Sequence, residues 1–154
     1  VARPAASVRV AALRLLAERR LTEAQLWIRL ARRGYAEDEV RAAVEACKAD
    51  GYIDDRLFAR LFVEGKTKAV GNARLVAELI RRGIERDAAE AGVAAAERQE
   101  AERLELAIEK LFRTHAHLSF PSAARALERL GFPTNAIYSR LRVRARAEFA
   151  AEAT

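Results

Sequence analysis

Residues 26–40 read LWIRLARRGYAEDEV, and the pattern returns as LVAELIRRGIERDAA over 75–89 and AARALERLGFPTNAI over 123–137. The glycines at its centre, Gly34, Gly83 and Gly131, lie 49 and 48 residues apart. Leu30, Leu79 and Leu127 stand four residues before them, and Leu26, Leu75 and Ala123 eight before. Tyr35, Ile84 and Phe132 follow at once; Val40, Ala89 and Ile137 come six after, and Val44, Val93 and Leu141 ten after. Spacing by four keeps side chains on one face of a helix. A glycine between two such faces supplies the left-handed residue that stops a helix without steric cost. A period of this size marks a tandem array.

Each copy has room for one further helix upstream. In the first, Val10, Leu13, Leu16 and Ala17 form an apolar stripe ending at Arg19-Arg20. Thr22-Glu23-Ala24-Gln25 then has the form of a capping box, with the Thr22 hydroxyl on the Gln25 amide and the Gln25 side chain reaching back. Glu37, Asp38 and Glu39 open a third helix, where the macrodipole favours acid; it runs through Val40, Val44 and Cys47 to Asp50-Gly51. The second copy starts on Asp54-Asp55 as a cap and continues through Leu57, Phe58, Leu61 and Phe62. It breaks near Gly71-Asn72, restarts with Leu75, turns at Gly83 and runs to about Gln99. The third starts near Ala101 with Leu104, Ile108, Leu111 and Phe112. Pro121 suits the first turn of its middle helix, and Thr134 opens the last. Residues 140–144 alternate like a strand, but helix formers flank them and they follow a cap, so they read as helix. The expected fold is all-α: three tandem three-helix, helix-turn-helix-like repeats over 1–50, 51–99 and 100–154, forming an elongated, curved array. Units of this size lean on their neighbours for stability.

The chain has 154 residues, 32% of them charged, and no window approaches the ~20 apolar residues of a membrane span. A single cysteine excludes an internal disulfide framework and points to a reducing compartment, so a cytoplasmic location is expected; a monomer is expected as well. Only four of the 28 basic residues are lysines, and arginine abundance of this kind often follows genome composition.

Catalytic chemistry is not supported. The chain has no Gly-rich phosphate loop, no Gly-x-Ser-x-Gly and no His-Glu-x-x-His. Cys47 shares an apolar face with Val40 and Val44 and reads as a core thiol. His115 and His117 lack companion ligands at metal spacing and read as a loop. Asp54-Asp55 reads as a cap rather than a metal or acid–base pair. Trp27 and Tyr35 read as packing. No metal and no cofactor are expected.

Charge separates the helices. The segment 37–50 carries five acids against two bases and 85–98 four against two, so neither invites phosphate. The segment 134–149 is the reverse, with Arg140, Arg142, Arg144 and Arg146 against Glu148. On the middle helices Arg29, Arg32 and Arg33 are echoed by Arg74, Arg81 and Arg82, and more weakly by Arg125 and Arg129. Cations suit helix C-termini; a basic stripe meeting an extended partner at regular intervals is the alternative.

Three stretches carry a family resemblance: LWIRLARRG at 26–34, Gly51-Tyr52-Ile53-Asp54-Asp55 with Phe58-Ala59, and GNARLVAELIRRGI at 71–84. They resemble the RecX family, and Leu130-Gly131-Phe132 is similar to the end of its third repeat. The third copy departs most, over Thr114 to Ser119 and at Leu130. The resemblance implies a three-repeat helical regulator of the RecA recombinase, acting in homologous recombination, DNA repair and the SOS response. It implies lodging in the groove of the RecA–single-stranded-DNA filament, with inhibition of ATP hydrolysis, coprotease activity and strand exchange. No catalytic residue comes with it, and Tyr52, Asp54, Asp55, Phe58 and Gly83 read as structural. The contact candidates are therefore Arg29, Arg32, Arg33, Arg74, Arg81, Arg82, Arg140, Arg142, Arg144 and Arg146, facing RecA or single- or double-stranded DNA. The rival readings are a helix-turn-helix transcriptional regulator using the basic third repeat, and a helical adaptor for another protein.

Overall fold

Gly34, Gly83 and Gly131 hold φ of 90°, 87° and 91°, so the period seen in the sequence is a period of left-handed helix stops. The computed structural model describes residues 4–154. Among these are nine α-helices and no strand: α1 Val8–Glu18, α2 Glu23–Arg32, α3 Glu37–Ala49, α4 Asp55–Glu64, α5 Asn72–Arg81, α6 Arg86–Ala94, α7 Glu100–Thr114, α8 Phe120–Arg129 and α9 Thr134–Glu152. They form three successive helical triplets.

Local chemistry explains most of the boundaries. Thr22 and Gln25 make the reciprocal cap of α2, at 3.1 and 3.0 Å. Asp54 Oδ1 accepts the Leu57 amide at the start of α4. Ser119 caps α8, with Pro121 in its first turn. The alternating stretch 140–144 is helical, inside α9.

Three expectations need correction. The buried face of α1 is Ala11, Ala12 and Leu15, while Val10 is 40% exposed; α1 touches both α2 and α3 and presents its alanines where backbones approach. α4 stops at Glu64, with Gly65 as its cap, well before Gly71. Residues 65–71 are a loop whose Val70 turns inward. α6 ends at Ala94 rather than near Gln99.

Each triplet closes on its own core. The first gathers Leu26, Leu30, Val40, Val44 and Cys47, with Trp27 and Tyr35 packed on it. The second is built on Leu75, Leu79, Ile84 and Val93, the third on Leu104, Leu127, Ile137 and Leu141. Burial pushes the Cys47 thiol up from its ordinary range, as a packed side chain requires. Arg9 ties α1 to Asp50 at 2.9 Å, and the Tyr35 hydroxyl donates to Ala6 O at 2.8 Å. The accessible surface is 9948 Å², against about 7,700 Å² for a compact globule of this mass. The array is elongated.

The triplets join head to tail. At the first joint the Thr22 hydroxyl donates to Arg82 O at 2.8 Å, and the Glu23 amide to Asp55 Oδ1 at 3.0 Å. At the second, the Gly71 amide donates to Leu130 O at 2.8 Å, and the Asn72 amide to Glu100. Thr22 and Gly71 occupy the same place, twelve residues before Gly34 and Gly83; Arg82 and Leu130 each precede the next glycine. The N-cap of one middle helix thus meets the last turn of the next, and the following amide meets a carboxylate on the first residue of α4 or α7. This heterologous contact propagates along one direction, and it satisfies groups that helix ends leave orphaned.

Candidate functional site

The ten candidate arginines divide sharply once placed. On α2 and its C-terminal turn, Arg32 and Arg33 are exposed and Arg29 is half-buried. Arg81 is exposed at the same register in the second repeat. These four make no ion pair among the described residues. Arg74 and Arg82 are committed inside their own repeat. Arg74 Nε lies 3.4 Å from Glu78 Oε1. The Arg82 guanidinium donates to Glu78 O at 3.2 Å and lies 4.5 Å from the centroid of the Phe62 ring, a cation–π contact.

On α9 the four arginines alternate between commitment and freedom. Arg140 pairs with Glu105 of α7. Arg144 lies 3.0 Å from Glu148 and 4.3 Å over the Phe112 ring. Arg142 and Arg146 are exposed, with no partner among the described residues. The helix is basic, but half of its charge is spent on packing.

The residues expected to be structural mostly are. Asp54 caps α4, and Asp55 takes the Glu23 amide across the first joint. Burial pushes the Asp55 carboxyl up, while that accepted bond pulls it down. Phe58 stacks on Phe62 with centroids 6.5 Å apart. Tyr52 differs: it is 58% exposed, because the turn at Gly51 carries it outside the first core. His115 caps the end of α7 in the open.

A second cationic feature lies where no candidate was placed. A cavity of about 720 Å³ opens between the 65–70 loop, the 96–98 turn and α7. Lys66, Lys68, Arg98, Lys110 and Arg113 line it, against Glu64, Glu97 and Glu102. Three of the chain's four lysines are here. Its inner wall is Arg103, only 6% exposed, which donates to Val70 O at 2.6 Å, to Asn72 Oδ1 and to Arg98 O at 3.3 Å. Burial pulls the Arg103 guanidinium down from its ordinary range. The available signal was its place four residues before Ala107, on the stripe that α7 buries. Lys66 is held by Glu78 at 2.7 Å and by the Phe62 ring. That carboxylate accordingly sits below the ordinary glutamate range, chiefly through its bond from Lys66.

The three-triplet architecture has counterparts. The family model for the first three-helix domain of RecX matches residues 9–47, and that for the second matches 54–93. The regulatory protein RecX of a Thermus thermophilus strain is 38% identical over 122 residues, covering 79% of this chain and 81% of its own. The chain belongs to the RecX family. The regulatory protein RecX of Mycobacterium avium is 40% identical over 102 residues, 62% of this chain and 59% of its own. The crystal structure of RecX from Lactobacillus salivarius superposes with a TM-score of 0.77 at 22% identity, covering 88% of this chain and 92% of that one. A second RecX crystal structure gives 0.75 at 19% identity, with coverages of 88% and 70%. Those two likenesses bear on the fold, which is that of tandem three-helix repeats. The chain is thus a RecX-family regulatory protein, and no helix among its described residues is long and apolar enough to cross a membrane.

Proposed function

We propose that this chain is a non-enzymatic negative modulator of the RecA recombinase. It binds in the groove of the RecA–single-stranded-DNA filament and inhibits ATP hydrolysis, coprotease activity and strand exchange. It acts as a cytoplasmic monomer, with the repeats 1–50, 51–99 and 100–154 as its contact units. The observation that carries this reading is the head-to-tail register of the repeats. It brings Arg32 and Arg81 to equivalent places, each exposed at the end of a middle helix, so that weak contacts recur at one spacing. A helical polymer offers sites at a fixed repeat, and linked weak contacts add as effective concentration.

The test is RecA-dependent ATP hydrolysis against increasing protein. Falling hydrolysis is expected; unchanged rates at saturation would sink the proposal. Reversing charge at Arg32 and Arg81 is expected to weaken inhibition with helicity unchanged. A helix-turn-helix regulator acting through α9 finds less support, because Arg140 and Arg144 are engaged within the repeat. It calls for salt-sensitive duplex binding without RecA, lost on neutralising Arg142 and Arg146.

A further inference from the structure

We infer that the cavity between the second and third repeats is a binding site for the phosphodiester backbone of a single nucleic-acid strand. The inference deepens the recombinase reading, on which it rests for the choice of nucleic acid among polyanions.

Three segments distant in the chain build the site. Arg103, Leu106, Lys110 and Arg113 follow one another by three, four and three residues and so share a face of α7. The 65–71 loop faces them with Lys66 and Lys68, and the turn after α6 adds Arg98. The corresponding loop in the first repeat, 19–22, has four residues where this one has seven. The extra length carries the lysines.

Charge accounting points to an anion. Lys66 is spent on Glu78 and Arg103 on the joint. Lys68, Arg98, Lys110 and Arg113 have no ion pair among the described residues. Of the three acids in the wall, Glu64 is already 3.8 Å from Arg60. Against Glu97 and Glu102 the four leave the concavity with a positive excess, and like charges in excess repel one another unless an anion joins them. A concavity with a net excess of one sign of charge focuses that attraction.

Shape and lining narrow the ligand. A volume of about 720 Å³ takes a chain of phosphates but not a duplex some 20 Å across. Among its lining residues there is no aromatic ring, so bases have nothing to stack on, and the contact is to phosphate and blind to sequence. Lys66 and Arg103, both anchored, set the walls, while the four unpaired cations are left to reach the strand.

The test is fluorescence anisotropy of a labelled oligo-dT with the full chain, without recombinase, across a range of salt. Saturable, salt-sensitive binding is expected. Neutralising K68Q with K110Q is expected to lower affinity at least tenfold and to reduce the log–log salt slope by about 1.4, the value for two phosphates on a single strand. R98Q with R113Q is expected to act alike, and circular dichroism keeps a folding defect apart from a binding one. No binding by the wild-type chain, or wild-type affinity and slope in both pairs, would overturn the inference. So would equal binding of a duplex, or displacement by ATP or polyglutamate as effective as by unlabelled oligo-dT; these assign the site to duplex, nucleotide or acidic protein respectively. If oligo-dT binding fails while the chain still suppresses RecA ATP hydrolysis, only this site falls. If binding holds and suppression is absent, only the recombinase reading falls.

Discussion

The two joints of this array share a register but differ in the group that makes their first hydrogen bond, a side-chain hydroxyl at one and a main-chain amide at the other. At the first, a threonine hydroxyl reaches the last turn of the next middle helix, and small side chains meet: a Cβ on Gly83 would come within 2.3 Å of Ala24 Cβ. At the second the donor to the next middle helix is main chain. Gly71 lets two backbones touch, its amide on Leu130 O, and a Cβ there would lie 2.1 Å from Gly131 O. The second joint is also riveted by Arg103, for which the first has no counterpart. A contact made through side chains can yield when one of them changes. A contact between backbones cannot.

That contrast sets the order of expected effects. Gly71→Ala should be the most damaging single change, at about 3 kcal/mol, because the methyl meets carbonyl and peptide atoms that have no rotamer to give. Gly71 has φ of −77°, so the loss reports the joint and not backbone strain. Urea unfolding should show the third repeat uncoupled from the other two; a single unshifted transition would remove the distinction between the joints.

Arg103→Ala comes next, at about 2–3 kcal/mol, since it strands the Val70 and Arg98 carbonyls and the Asn72 amide oxygen. Lysine cannot serve all three acceptors, so Arg103→Lys should recover little. Equilibrium unfolding of both variants checks this.

Gly83→Ala should cost about 2 kcal/mol, in two parts. One is the left-handed backbone, which alanine resists; the other is the collision with Ala24. Adding Ala24→Gly should recover the second part only, and a double-mutant cycle measures the coupling. The same cycle cannot be drawn for Gly71, whose obstacle is main chain.

The smallest effect is one of pH. Lys66 and Arg74 hold Glu78 below its ordinary pKa, so their contribution to stability is complete above roughly pH 4.3 and fades as pH falls through the depressed value. Glu78→Gln should therefore flatten the acid loss of stability below roughly pH 4.3 relative to wild type, as read by acid titration of ellipticity. The effect is confined to the second repeat, since Lys66, Arg74 and Glu78 all belong to it.

The sequence alone determined the number of repeats, the three glycine stops and the caps at Thr22 and Asp54. All are local: a glycine that must turn left-handed, an apolar residue every fourth place, a threonine three residues before a glutamine. Membership of the family was legible for the same reason, because Gly51-Tyr52-Ile53-Asp54-Asp55 and the 71–84 stretch are short and contiguous. Arg32, Arg33 and Arg81 were visible as recurring exposed charge at helix ends.

Tertiary structure alone decided which charges are spent. Nothing in the spacing of Arg140 or Arg82 foretells Glu105 or the Phe62 ring, since those partners arrive from other helices. The end of α4 at Gly65 and the inward Arg103 follow from how the third repeat seats on the second, through Leu130 O and Val70 O. The cationic cavity joins residues 66–68 to residues 98–113, thirty or more positions apart. Periodicity reports the face a helix buries, and only the stacking register of whole repeats determines what that face, and its neighbours, will meet.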